Sequence, residues 1–363
     1  MSKILSGELI GKRESVVDQI MLLNPYQTPM ISMVGFGQPI NAVEHIWFED
    51  SMFADESKVT EAATAGDTTV KVADVEPFRV GHVVKAGDEL MLVTGVDTVG
   101  KALSVMRGYA GTAAADIAVD AKIEVQFVEG NEGADARAAR YKARVRKSNI
   151  TQIFDDTVEI SGTAAAVANY GIDDLYEYEK AKKQLELVLQ LEKALINGIR
   201  YENGTTRQMD GIRNMIKTNV TDLGGADLTM DVLNDSLQKI YSVGGFQTGG
   251  MYEIVVPAKQ KRVIGKFDKN LVQIPQEVRE RGTVVNTLVT DFGEFPVSIN
   301  DNLAADEVLI LDKNRISIRP LQGREFGHEY LGKKGDYLQG MIVGEYTIEF
   351  RQEAAHARIK GCK

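Results

Sequence analysis

The sequence predicts an α+β fold that carries an inserted small β-barrel or β-sandwich domain. Three observations lead to this prediction. A run of short alternating segments fills residues 59–128, one long helical pattern covers residues 173–200, and the remaining helices and antiparallel strands are largely segregated along the chain. The chain has 363 residues, of which 44% are apolar, so it is long enough to bury more than one core.

The N-terminal segment combines a short amphipathic pattern with an extended piece. Apolar residues between positions 16 and 23 recur at helical spacing, and Pro25 ends the pattern. Two interpretations are open. The segment is either a helix that packs on its own domain or an arm that docks on neighbouring copies.

Strand patterns dominate the next part of the chain. Residues 44–53 are predicted to form one strand. The run that follows has turn signals such as Ala65-Gly66-Asp67 between its segments. Its predicted strands are 69–72, 82–85, 89–93, 102–106 and 122–127. Short strands at this spacing are typical of a small antiparallel barrel or sandwich.

A basic stretch follows the insert. It contains Arg137, Arg140, Lys142, Arg144, Arg146 and Lys147, and no acidic residue follows Asp135 in it. The alternation of the middle residues would place Arg140, Lys142, Arg144 and Arg146 on one face of a strand. This face is either a solvated edge that resists mispairing or a surface that docks an acidic neighbour. Since an isolated β-ribbon is only marginally stable, docking on another chain is favoured.

The strongest helical pattern runs from residue 173 to about residue 200. Asp173 or Asp174 is expected to cap it, and Glu177 completes the spacing of a capping box with Asp174. An apolar stripe that includes Leu195 and Ile199 lies opposite charged residues. At 1.5 Å per residue the helix would be roughly 40 Å long, a length that suits a structural spar.

Mixed elements make up the remainder. Thr229 is predicted to cap a helix that ends at Gly244, residues 252–256 form a strand, and Pro257 opens another helix. The remaining predicted strands are 283–289, 296–299, 307–311, 315–319 and a long one around 337–350.

No motif for catalysis is present. His45, His82, His328 and His356 lack the spacing of a helical metal pair. There is no phosphate-binding loop and no nucleophile elbow. Cys362 lies next to the C-terminal residue, where a mobile terminus would not hold a nucleophile. We therefore expect no enzyme, no cofactor and no metal site.

Charge and composition limit the remaining function classes. A net charge of −10 argues against nucleic-acid binding as the main task, although a container need not grip its DNA. No apolar run approaches the roughly 20 residues of a membrane span. Residues 1–13 lack a secretory pattern, and a single cysteine fits folding in a reducing cytoplasm.

Short motifs in collinear order resemble those of a known family. Residues 24–30 resemble the element that closes the N-terminal arm of many phage capsid proteins, and residues 209–214 resemble the Gly-Ile/Leu-x-Asn element after the spine helix. Residues 290–312 resemble the axial-domain signature, which begins with Asp-Phe-Gly and ends with Leu-Asp. Residues 333–357 resemble the closing strands. In this order the chain resembles tailed-bacteriophage major capsid proteins with the HK97-like fold, of the subgroup with a β domain inserted in the extended loop.

The resemblance implies a division of the chain into regions. These are an N-terminal arm at 1–40, an extended loop at 41–58 and 129–165, the inserted β domain at 59–128, a peripheral domain at 166–210 and 301–363 with its spine helix at 173–200, and an axial domain at 211–300. Residues 266–282 are a candidate axial loop. The implied contacts between subunits involve Leu22, Leu23, Tyr26, Met30 and Ile31 of the arm and the six basic residues from Arg137 to Lys147.

The implied function is a subunit that self-assembles as pentamers and hexamers into an icosahedral head shell. The shell would enclose double-stranded DNA without sequence-specific binding, in a virion assembled in the host bacterial cytoplasm. Portal, scaffolding and decoration proteins are the expected further partners, and no membrane is involved. Two alternatives stay open. One is an encapsulin-like nanocompartment shell, and the other is a carbohydrate-binding or adhesive module built on the insert.

Overall fold

The computed structural model describes residues 28–130, 132–133, 135–167, 174–248, 250–267 and 287–363. The chain divides into two compact units. One comprises Met1–Trp47 with Arg146–Lys363, and the other is Phe48–Val145. Among the described residues, no helix is both long enough and apolar enough to span a membrane.

Helices and strands are numbered here in chain order. The helices are α1 (Pro29–Val34), α2 (Gly162–Ala166), α3 (Leu175–Asn197), α4 (Ile212–Met215), α5 (Met230–Ser242) and α6 (Ala258–Ile264). The first ten strands are β1 (Glu44–Glu49), β2 (Glu56–Lys58), β3 (Thr69–Lys71), β4 (His82–Ala86), β5 (Glu89–Asp97), β6 (Ala102–Met106), β7 (Lys122–Val128), β8 (Val145–Ile150), β9 (Gln152–Ser161) and β10 (Tyr201–Asn203). The others are β11 (Thr206–Gln208), β12 (Val220–Asp222), β13 (Tyr252–Val256), β14 (Thr287–Thr290), β15 (Gly293–Ile299), β16 (Val308–Asp312), β17 (Ile316–Pro320), β18 (Gly327–Gly335), β19 (Tyr337–Phe350) and β20 (Ala357–Lys360).

The unit Phe48–Val145 is a closed antiparallel barrel. Its strand order is β2-β7-β4-β5-β6-β3. Hydrogen bonds at the C-terminal ends of the first and last strands, β2 and β3, close the barrel. The Thr60 amide donates to the Lys71 carbonyl at 3.0 Å, and the Ala73 amide donates to the Lys58 carbonyl at 2.8 Å. Closure leaves no free edge, so every strand finds a partner on both sides. Val, Leu, Ile and Met side chains fill the interior.

The long strand β19 organises the first sheet of the other unit. Its order is β17-β19-β18, and β9 pairs with residues 337–346 of β19. Alternate residues of β19 face opposite ways, so Tyr346, Ile348 and Phe350 join an apolar cluster with the spine helix α3. The other face buries Glu345 and Glu349. The predicted strand around 337–350 is confirmed.

A second sheet of the same unit has the order β12-β20-β16-β13-β15-β14. Its central strands are buried on both faces. Val255 packs with α3, whereas Ile254 and Val256 pack in a cluster with α5 and α6. This explains why the strand residues read as a continuous apolar run. Strands β16 and β20 lie in this sheet together with β12 to β15. Hydrogen bonding places these two strands beside the predicted axial elements, and the division into a peripheral range 301–363 and an axial range 211–300 stays a prediction.

The spine helix is shorter than predicted, because it spans Leu175–Asn197 and not 173–200. Asp174 is its N-cap. The side chain accepts from the amides of Tyr176 at 2.9 Å and Glu177 at 3.1 Å, which confirms one of the two predicted caps. Thr229 caps α5 as predicted, with its hydroxyl accepting from the Val232 amide.

Three local expectations are wrong. The predicted strand at 44–53 ends at Glu49, and residues 135–144 form no regular element, so Arg140, Lys142 and Arg144 do not share the face of a strand. The expected mobile C-terminus is also wrong for Cys362, which is 2% exposed and packs in the second cluster.

Candidate subunit interface

The arm helix α1 is fixed to its own chain by a buried carboxylate. Glu192 of α3 accepts hydrogen bonds from the backbone amides of Met30 at 2.8 Å and Ile31 at 2.9 Å, and from Nδ2 of Asn300 at 2.8 Å. Burial raises the pKa of this carboxyl, although the three hydrogen bonds oppose the rise. One side chain thereby joins the arm, the spine helix and the segment after β15.

The predicted arm contacts fall into two groups. Met30 is 1% exposed and packs in its own chain's core, which was one of the two interpretations of the arm. Ile31 is partly buried against the same core. Leu22, Leu23 and Tyr26 lie outside the described residues. For these three residues, contact with a neighbouring subunit stays a prediction.

Three basic side chains hold the segment before β8 against the segment after β1. Lys142 donates to the Met52 carbonyl at 3.1 Å, and Arg144 lies 3.4 Å from Asp50. The guanidinium of Arg140 lies 4.1 Å from the centre of the Phe53 ring. The side chains of these three residues contact the facing segment, whereas a strand would contact it through hydrogen bonds between backbone amides and carbonyls. This accounts for the absence of a strand at 135–144.

The remaining basic residues are placed separately. Arg137 donates to the Glu129 carbonyl, and Arg146 on β8 lies 3.3 Å from Glu44. Lys147 is exposed. Burial alone would raise the pKa of the Glu353 carboxyl, but hydrogen bonds from Thr218 and the Lys217 amide, together with the charge of Lys147, lower it. The stretch is therefore partly neutralised within the chain, and its exposed charges remain open to a partner.

Large apolar side chains on these segments face solvent. Met52 is 91% exposed, Tyr141 82%, Phe48 68% and Val145 51%. Single exposed apolar residues are ordinary, but four on two adjoining segments are typical of a protein-binding surface. Sequence reasoning missed these residues. Their only signal was a succession of apolar residues without the period of a buried strand.

Three of the histidines make polar contacts within their own chain. His356 is fully buried, and its Nδ1 accepts from the Asp312 amide at 3.1 Å. Burial lowers its pKa to about 3, so the ring is neutral and cannot act as a proton donor near neutral pH. His45 Nε2 lies 3.0 Å from a carboxylate oxygen of Glu349. His328 contacts the hydroxyl of Tyr176.

The cysteine is buried, and the described acidic side chains form no metal-binding group. Burial raises the pKa of the Cys362 thiol to about 11, which keeps it protonated and unreactive. Within the described ranges, no three His, Cys, Asp or Glu side chains are grouped so that they could hold a metal ion. The surface of the extended segments is thus the better candidate for function.

Comparison with known proteins identifies the family. The family model described as SU10 major capsid protein matches residues 3–363. The chain belongs to this family. A curated relative supports the assignment over a shorter range. The major capsid protein of Escherichia phage Phieco32 is 41% identical over 75 residues, which are 20% of this chain. The matched segment spans about a fifth of that relative's length, 21%.

Solved capsids share the fold of this SU10-type chain. The capsid asymmetric unit of cyanophage A-1(L) matches with a TM-score of 0.58 at 10% identity, covering 98% of each chain. The capsid of a native GTA particle matches with a TM-score of 0.56 at 9% identity, covering 99% of this chain and 98% of the other. The capsid of Myoviridae phage XM1 matches with a TM-score of 0.52 at 13% identity, covering 99% of both. The predicted α+β, HK97-like fold is confirmed.

Proposed function

We propose that the chain self-assembles as pentamers and hexamers into the icosahedral head shell of a tailed phage, which encloses double-stranded DNA. The family match over residues 3–363 carries this proposal. We infer that the barrel of the unit Phe48–Val145 is an insertion in the extended loop, and that the loop reaches a neighbouring subunit.

The exposed surface of the extended segments supports this function. Met52, Tyr141 and Phe48 present large apolar groups, and the adjoining stretch is basic. Apolar contacts supply affinity in an obligate interface, whereas charge sets orientation and register. A chain that leaves such groups open gains stability when a second copy covers them.

The subunit acts by assembly and not by catalysis. The shell binds its DNA without reading sequence, which fits the net charge of −10. It forms in the bacterial cytoplasm. Portal, scaffolding and decoration proteins are its further partners.

Substitution of the exposed apolar residues tests the proposal. The double variant Met52→Asp, Tyr141→Asp places two carboxylates on this surface, and each would lose its hydration when a neighbouring copy covers it. We therefore expect the variant to remain as free subunits under conditions in which the unaltered chain forms large particles. Light scattering after size-exclusion chromatography distinguishes the two. Val99→Asp is the matched control, because Val99 is 94% exposed in the turn between β5 and β6. Equal particle yield from all three proteins would contradict the proposed role of the extended segments.

A further inference from the structure

Three arginines in the unit Phe48–Val145 have no acidic partner among the described residues. Arg79 donates from Nε to Nε2 of His82 at 3.1 Å, and Arg140 donates to the Pro77 carbonyl at 2.9 Å. Arg137 lies beside the same turn, because a Cβ added at Gly81 would be 3.7 Å from its Nη2. The turn 77–82 is therefore bordered by three guanidinium groups.

No carboxylate among the described residues forms an ion pair with any of these three groups. Their hydrogen bonds go to backbone carbonyls and to an imidazole, which are neutral acceptors. Three like charges around one turn repel each other, and a bound anion would convert this repulsion into attraction. Arg137 and Arg140 are exposed and Arg79 is partly buried, so the group is open to an anion supplied from outside the subunit.

His82 accepts the hydrogen bond that positions Arg79 in the group. An arginine can only donate, so the ring nitrogen that faces Arg79 must be the acceptor. In the neutral ring the proton then sits on Nδ1, which is buried and has no partner in the part of the chain that the structure describes. The residue is 3% exposed. Burial first, and then the charges of Arg140, Arg79 and Arg137, lower its pKa to about 4, so the ring stays neutral.

Three other basic residues of the same stretch differ in this respect. Lys142 lies 3.8 Å from Glu76, Arg144 lies 3.4 Å from Asp50, and Arg146 lies 3.3 Å from Glu44. These charges already have partners in their own chain. The absence of a carboxylate is thus a property of the group around the turn 77–82 and not of the whole basic stretch.

We propose that Arg79, Arg137 and Arg140 form an anion-binding site that takes a carboxylate side chain of a second copy of this chain. The proposal rests on the proposed function, because a shell brings many copies into contact. Each copy has 52 acidic against 42 basic residues, so carboxylates are in excess on every neighbour. The planar guanidinium group binds a carboxylate through two parallel hydrogen bonds, which fixes orientation as well as adding affinity.

The test compares two double variants of the full chain. Arg79→Gln with Arg137→Gln removes two charges of the site, and Lys71→Gln with Lys122→Gln removes two exposed barrel charges that are already paired with Glu61 and Glu56. We expect the first variant to need at least about tenfold more protein to assemble, and the second to assemble almost like the unaltered chain. Light scattering against protein concentration measures both, and circular dichroism checks that both are folded.

A cryo-electron microscopy map of the unaltered shells gives a second measurement that needs no variant. We expect a carboxylate of a neighbouring copy within about 4 Å of the guanidinium groups. Equal assembly of the two variants, a site that faces only solvent, or density for a phosphate in its place would each overturn the proposal. Failure of the unaltered chain to assemble at all would instead refute the proposed function, and this proposal with it.

Discussion

At the residue scale, the buried carboxylate of Glu192 is the contact that most directly joins the parts of the larger unit. It has three donors and no cation among the described residues. Glu192→Leu leaves these donors unpaired, and we expect a loss of about 3 kcal/mol or more in the free energy of unfolding. Chemical denaturation of the unassembled subunit measures this. Glu192→Gln is the control and should lose less, because it keeps one acceptor oxygen.

The pH dependence of Glu192 follows from the raised pKa of its carboxyl. A carboxyl whose pKa is higher in the folded chain stabilises that chain most below its ordinary value of 4.5. The contribution is lost as the pH rises through the folded-state pKa. We therefore expect the stability of the unaltered chain, relative to Glu192→Gln, to fall as the pH increases. If the unaltered chain instead became more stable relative to Glu192→Gln as the pH increased, the folded chain would favour the charged form of Glu192.

Glu349 should show the opposite dependence. Burial alone would raise its pKa, but hydrogen bonds from His45 and Arg351 and the charges of Arg319 and Arg351 outweigh burial and hold the pKa at about 2. Its stabilisation is therefore full above pH 4.5 and is lost as the pH falls towards 2.

The difference between the ordinary pKa of Glu349, 4.5, and its value of about 2 in the folded chain corresponds to about 3 kcal/mol of stability. Acid titration of the unfolding free energy, with Glu349→Gln as reference, should reveal this loss. Parallel curves for the two proteins between pH 4.5 and pH 2 would contradict the assignment.

At the scale of elements, the spine helix α3 should be the most sensitive to loss of volume. Leu191 is fully buried in the cluster that α3 forms with β19. Leu191→Ala should cost about 2–5 kcal/mol in the free energy of unfolding, because the rigid neighbours leave a cavity. The adjacent Gln190 is exposed, so Gln190→Ala should change the free energy of unfolding by less than about 0.5 kcal/mol. Both variants are compared by thermal and chemical denaturation. If Leu191→Ala and Gln190→Ala lost similar amounts of unfolding free energy, α3 would not pack as described.

The barrel offers a comparison of a buried and an exposed ion pair. Arg107 Nη2 lies 2.7 Å from Glu89, and their side chains are 7% and 0% exposed. Arg107→Ala leaves a buried carboxylate without its cation and should cost about 3–5 kcal/mol. In contrast, Lys71 pairs with Glu61 at 2.8 Å on the surface, so Lys71→Ala should cost less than about 1 kcal/mol. Denaturation of both variants decides whether burial sets the difference.

The sequence was sufficient for elements whose pattern is local. The strand at 337–350 and the caps at Asp174 and Thr229 depend on alternation and on a side chain within three residues of an amide, and all were predictable. The basic stretch was not. Its alternation suggested a strand, but the side chains of Arg140 and Lys142 bind carbonyls 63 and 90 residues away in sequence. Such contacts have no local pattern.

At the scale of the whole molecule, the motif order predicted the fold, whereas the limits of the regions stay a prediction. Strands β16 and β20 follow residue 300, yet they hydrogen-bond into the sheet of β12 to β15. A chain that returns to an earlier sheet cannot be divided at a single position. The candidate interface was likewise only partly predictable, because Arg79 and His82 join Arg137 and Arg140 through the folding of the barrel.

The most direct test of the central claim is cryo-electron microscopy of the purified protein, with light scattering to size the particles. We expect closed icosahedral shells, or separate pentamers and hexamers, with the extended segments lying on a neighbouring subunit. The shell diameter would also distinguish a phage head from a small protein compartment. A monodisperse monomer at high concentration, under both low and high salt, would contradict assembly as the function of this chain.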